Sequence, residues 1–212
     1  MAQFEVVSVN TNEGGVRKLP RSGPVVLDAF GLQGDKQANR RDHGGPDQAV
    51  CLYALEDYQA LQTKGVTDGV LEPGSVGETL TTRGIDWREV HVGQRFEGAG
   101  VILEISTFRY PCQKLKPLGD QLPEALFPER RFGAYGRVLK RGTVQAGQAF
   151  AAISEPAGGS MSLRRVSELL LDETLSESVA ARQAAIDQLL LQRGLAYRTR
   201  ELAAKIQRKM HR

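Results

Sequence analysis

The segment Pro156-Ala157-Gly158-Gly159-Ser160 divides the chain into two textures, and that division decides the fold. Proline and paired glycines punctuate local structure, so the stretch reads as a linker. Before it, short β-branched or apolar runs recur at Phe4 to Val9, Val25 to Ala29, Val50 to Tyr53, Val90 to Val92, Val101 to Ser106 and Gln148 to Ile153. Glycine and proline fill the gaps, which is the pattern of a barrel or sandwich. Leu55, Tyr58 and Leu61 stand at helical spacing and predict one short helix within this region. A further helical turn is expected around Leu122 to Phe127.

After the linker the apolar period lengthens. Leu163, Val166, Leu169 and Leu170 make one stripe. Thr174 and Glu177 have capping-box spacing ahead of a second helix, whose inner face carries Val179, Ile186, Leu189 and Leu190. Gly194 is its stop signal. Leu202, Ile206 and Met210 mark one side of a third helix, with Arg198, Arg200, Lys205, Arg208 and Lys209 around it. The expected organisation is therefore mainly β with α: a barrel domain over 1–156 and a small three-helix subdomain over 160–212. Helices this short bury little alone, so they must pack on one another, on the barrel or on a second copy.

Composition narrows the class. At 212 residues the chain fits one medium domain with an appendage and is long enough to bury a core. A net charge of +3 is too small to argue for general nucleic-acid binding, although Lys and Arg cluster at 40–41, 109–116, 130–131 and the C-terminal tail. Two cysteines without CxxC spacing argue against a zinc site and a disulfide framework. No run approaches the ~20 apolar residues of a membrane span. Met1 to Glu5 lacks the basic and apolar regions of a signal peptide, so the expected location is cytoplasmic.

The chemistry concentrates in Arg109-Tyr110-Pro111-Cys112-Gln113-Lys114-Leu115-Lys116. A thiolate is both nucleophile and metal ligand, and cations at 109, 114 and 116 favour it. A structural cysteine more usually sits in an apolar run, as Cys51 does in Ala49-Val50-Cys51-Leu52-Tyr53; Cys51 reads as core. His91 alternates with Val90 and Val92, which predicts the solvent face of a strand, and His211 lies in the tail without a role. Upstream run Gly31-Leu32-Gln33-Gly34-Asp35 and His43-Gly44-Gly45-Pro46-Asp47. Glycine turns expose successive N–H groups that can form anion-binding concavities, and Lys36, Arg40, Arg41 and His43 add charge. The same glycines also suit ordinary tight surface turns.

These two motifs, followed by Gly74-Ser75-Val76-Gly77-Glu78-Thr79-Leu80 and Pro111-Cys112-Gln113-Lys114-Leu115, occur in the order seen in MOSC domains, named for the C-terminal domain of molybdenum cofactor sulfurase. The chain most resembles the stand-alone bacterial YiiM-like branch, from about Val6 to the last helix. The resemblance implies a closed or partly open β-barrel like that of pyruvate kinase, followed by a short helical subdomain. It implies a molybdenum cofactor (molybdopterin) with Cys112 as protein ligand to the metal. Gly34, Asp35, His43, Gly44, Gly45, Gly77, Glu78, Arg109 and Lys114 would bind the cofactor. Asp35 and Asp47 would stand at the pocket wall, Glu78 would order its loop, and Arg109 and Lys114 would pair with a phosphate or a charged substrate.

The activity implied is reduction of small N-hydroxylated compounds such as hydroxylamino nucleobases. No flavin, haem or iron–sulfur motif is visible, so a separate reductase would supply electrons. Ser106 to Tyr110 is more aromatic than the family pattern. Two other readings stay open: a sulfur carrier holding a Cys112 persulfide, and a nucleic-acid module using the basic last helix. Homodimer contacts are the expected use of the tail.

Overall fold

Burial alternates along the first strand, β1 (Gln3–Thr11), so that Phe4 and Val6 turn inward. A register shift between Val6 and Ser8 breaks the alternation, after which Ser8 to Thr11 are all buried. The computed structural model describes residues 1–12, 16–36, 44–172 and 176–210. Within them β2 is Leu19–Pro20, β3 Val25–Asp28, β4 Gly31–Leu32, β5 Val50–Ala54, β6 Leu80–Arg83, β7 Arg95–Gly98, β8 Val101–Phe108, β9 Ala134–Lys140, β10 Gly142–Val144 and β11 Ala149–Ala152. The helices are α1 (Leu55–Thr63), α2 (Leu122–Ala125), α3 (Leu163–Leu171), α4 (Val179–Leu190) and α5 (Tyr197–Met210).

Seven strands close into a ring in the order β1-β6-β5-β9-β8-β7-β11, with β11 pairing back onto β1 through Phe4 opposite Phe150. Closure removes the unpaired edges an open sheet would leave. The barrel is thus closed. Its neighbours are antiparallel except β5 and β6, and a parallel pair needs a long crossover. Helix α1 and the chain from 64 to 79 supply it. Short β2 extends β1, while β3, β4 and β10 form a side sheet. At the seam Phe4 stacks on Phe150 at 5.1 Å, with Trp87 and Phe96 tilted against it.

The helical region follows the sequence reading in part. All four residues of the α3 stripe are buried. In α4 Ile186 and Leu189 are buried, but Val179 is 71% exposed because it opens the helix, directly after the N-cap. That cap is Ser178, whose hydroxyl accepts from the Ala181 N–H; Thr174 lies outside the described residues. On α5 the buried residues are Thr199 and Ala203, with Leu202, Ile206 and Met210 half-buried beside them. Barrel and helices share one apolar cluster that runs from Phe4 to Ala203.

The expected strand at Val90 to Val92 does not form. A 3-10 turn at Trp87–Glu89 leads instead to a single bridge between His91 and Ser162. His91 is half-buried rather than solvent-facing, and its Nδ1 lies 2.9 Å from the Ser160 carbonyl oxygen, which pins the linker. Among the described residues no helix is long and apolar enough to cross a membrane.

Candidate functional site

Strand β8 runs straight into the cysteine segment. Arg109 continues it, its N–H donating to the Gly133 carbonyl, and Cys112 then caps a 3-10 turn over Gln113–Leu118, where its carbonyl accepts from Leu115 N–H. The thiol is free and half-buried. The expected cation at 109 is present but not on the surface: Arg109 is 4% exposed. One guanidinium nitrogen, Nη2, donates to the Val76 carbonyl at 2.8 Å, and the buried Nη1 has no hydrogen-bond partner. Burial alone would lower the pKa of this guanidinium, yet Cys51, Tyr135, Cys112 and Tyr53 together raise it. Arg109 therefore stays a cation within electrostatic reach of both thiols. Lys114, by contrast, is exposed on the outer side of the turn.

Cys51 is buried as expected, and burial pushes its thiol up to about 11 against the pull of Arg109 and Lys18. Across the sheet it pairs with Tyr135, whose phenol burial also holds well above its ordinary range. Cys51 is a core residue that nonetheless borders the charged site.

Asp35 belongs to the same wall. It accepts from Lys18 Nζ at 2.5 Å and from the Asn12 N–H at 3.1 Å, and the ion pair is largely buried, at 12% and 5% side-chain exposure. Lys18 also reaches Thr79 Oγ1 at 3.4 Å, and that oxygen accepts from the Cys51 N–H. A chain of contacts thus links Asp35 through Lys18 and Thr79 to Cys51, then by charge to Arg109 and Cys112. Lys18 and Tyr135 are absent from the sequence reading, and Thr79 stands in the 74–80 motif without a role. Lys18 sits in an ordinary basic doublet, and nothing local marks it.

Glu78 is fully buried, and both its oxygens are occupied. Oε1 accepts from the Gly74 N–H and Thr81 Oγ1, and Oε2 from the Tyr58 hydroxyl. Burial outweighs these donors and raises the carboxyl above its usual value. The residue ties the 74–79 loop to α1 and β6 through these bonds. Gly77 serves a close approach of the chain to itself: a Cβ there would stand 2.6 Å from the Val16 carbonyl oxygen. Gly74 is tighter still, at 2.3 Å from that of Lys18.

Gly34 and Gly45 both have φ of 82° with nothing within 4 Å of a Cβ, so their open side faces free space. The Gly44 N–H donates to Gln48 Oε1. His43, Arg40 and Arg41 lie outside the described residues. Asp47, expected at the pocket wall, engages its carboxylate elsewhere. Oδ1 accepts from Arg137 Nε at 2.7 Å, and Oδ2 from the Tyr197 N–H at 2.6 Å. The reason is packing: the helical region lies against this turn. Among the described residues no three His, Cys, Asp or Glu side chains converge to hold a metal by themselves. One thiol and one orphaned buried cation fit a group that brings its own ligands and negative charge.

A closed seven-stranded barrel with a cysteine turn after β8, and helices laid against it, defines the class. The MOSC domain family model matches residues 39–151, and the chain belongs to that family. It is 30% identical over 181 residues to the "Uncharacterized protein YflK" of Bacillus subtilis, covering 78% of this chain and 81% of that one. A protein of Gibberella moniliformis named "Reductase" is 32% identical over 146 residues, or 66% of this chain, but the match spans only 26% of the fungal protein. The crystal structure of YiiM from Geobacillus stearothermophilus shares the fold, with a TM-score of 0.79 at 23% identity, covering 96% of this chain and 99% of the other.

Proposed function

We propose that the chain binds a molybdenum cofactor through the Cys112 thiolate and reduces small N-hydroxylated compounds, such as hydroxylamino nucleobases, with electrons from a separate reductase. One observation carries the reading: the buried guanidinium of Arg109, within electrostatic reach of the thiol, with Nη1 unpartnered. A buried cation is costly unless an anion or acceptor meets it. A thiolate at 112 and an anionic ligand beside it would supply both. The MOSC family is associated with this cofactor, and the fungal relative's name supports a reductive activity.

Cys112 would hold the metal, a soft thiolate suiting it. Bound there, the cofactor would supply a two-electron redox couple and Lewis acidity for cleavage of an N–O bond. Arg109 would hold positive charge under the anionic ligand, and its Val76 contact fixes the direction in which Nη1 points. The Lys18–Asp35 pair would keep a second positive charge at the wall without leaving either ion unpaired. Gly34 and Gly45, open on one side, would let a ligand approach the backbone.

The test is molybdenum and pterin content of wild type and Cys112→Ser from a cofactor-competent host, with reduction of an N-hydroxylated purine assayed on both. Wild type should hold stoichiometric molybdenum and turn over with an added reductase; Cys112→Ser should lose both. Wild type purified without molybdenum but with a Cys112 persulfide would overturn the proposal in favour of sulfur transfer.

A further inference from the structure

The first turn of α5 grips both the turn that leads into β5 and the strand that leads into Cys112, and from this we propose that the C-terminal helical region is a positioning brace for the Cys112 thiol. The backbone N–H of Tyr197 donates to Asp47 Oδ2. Arg137 gathers the same junction, donating to Asp47 Oδ1 and to the carbonyl of Gly194 at 2.6 Å. Ser106, the extra residue of a register shift in β8, ties the junction to the barrel: its hydroxyl donates to the Asp47 carbonyl at 2.5 Å, and its own carbonyl accepts from the Ala196 N–H. A bulge re-aims a side chain in this way.

Two residues into the helix stands Thr199, with no exposed surface. Its hydroxyl donates to Thr107 Oγ1 at 2.8 Å and accepts from the Tyr110 hydroxyl at 3.2 Å. The Tyr110 ring also lies 4.4 Å from that of Phe108. Only Pro111 separates this anchored tyrosine from Cys112, and proline's ring fixes φ. A shift of α5 must therefore move the thiol. A helix built for dimer contacts or nucleic acid would not need a buried threonine at this position. Here the apolar and hydroxyl face of α5 turns to the site segments, and Lys205, Arg208 and Lys209 face outward.

The inference rests on Cys112 being the working residue, but its test needs no cofactor. Full-length protein from a cofactor-deficient host is treated with iodoacetamide at one fixed pH, and alkylation of Cys112 is timed by mass spectrometry. Thr199→Val and Asp47→Asn should each speed alkylation by about fivefold, the weight of one lost hydrogen bond. Thr199→Ser, which keeps the hydroxyl, should restore wild-type behaviour. Arg165→Gln breaks the pair between Arg165 of α3 and Glu177, neither of which belongs to a site segment, and should leave alkylation unchanged. Wild-type rates in Thr199→Val and Asp47→Asn, or an equal rise in Arg165→Gln, would overturn the brace. Molybdenum content separates the two proposals: a braced thiol in a wild type that never loads metal defeats the cofactor reading alone.

Discussion

Cys51 and Cys112 show how far environment separates two chemically identical groups. Burial holds the Cys51 thiol up to about 11, whereas Cys112 is half-buried on a polar turn. Native alkylation at about pH 8 should label Cys112 and leave Cys51 intact, since only the thiolate reacts; peptide mapping that finds Cys51 labelled in folded protein would contradict this. Glu78 makes a second case. Its pKa is raised from the usual 4.5, so the folded chain holds that proton more tightly than the unfolded one. Its contribution is then full at acid pH and declines as pH rises through the raised value. Denaturation of wild type and Glu78→Gln between about pH 4 and 8 should show the wild-type advantage shrinking with pH; an advantage that grows would refute the assignment. At this scale Cys112 was legible because its polarity and charge are local. Lys18 was not, because the partner that gives it meaning lies 17 residues away in Asp35.

Among the elements, those with a simple apolar period were readable. Strands β1, β5 and β8 and helices α1 and α3 fall where alternation or helical spacing placed them. Strand β6 escaped because Leu80-Thr81-Thr82-Arg83 reads as polar, while Thr81 and Thr82 are fully buried. Their hydroxyls serve Glu78 and the Trp87 indole N–H, a use that only the folded chain reveals. Strand β9 was hidden by Gly136, which interrupts its run. The 74–79 loop yields a quantitative expectation. Gly74 has φ of 89° and would place a Cβ 2.3 Å from a backbone oxygen, whereas Gly100, with φ of 78°, has nothing within 4 Å. Gly100→Ala should cost about 1 kcal/mol from left-handed strain alone. Gly74→Ala adds a clash with backbone and should cost about 3 kcal/mol or more. Comparable losses in chemical denaturation would dismiss the close approach as the reason for Gly74.

For the whole molecule, the linker at 156–160 divides the sequence more sharply than it divides the core. Leu163, Val166, Leu169 and Leu195 are buried in the same cluster as Phe96 and Leu103 of the barrel. One cooperative transition is therefore expected, with near- and far-ultraviolet circular dichroism changing at one temperature. Separate transitions would show the helical region to be energetically independent. The change of texture was legible in the sequence because periodicity is local. The shared core was not, because it depends on which barrel face the helices cover.

The seam between β1 and β11 has a consequence for biosynthesis. Residues 3 to 5 find their partners only at 149 to 151, so the first strand of the ring is completed by the last. Such distant pairings are slow to form. Until then the nascent chain carries Phe4 and Val6 without the wall that will cover them, a window in which a chaperone would have most to do.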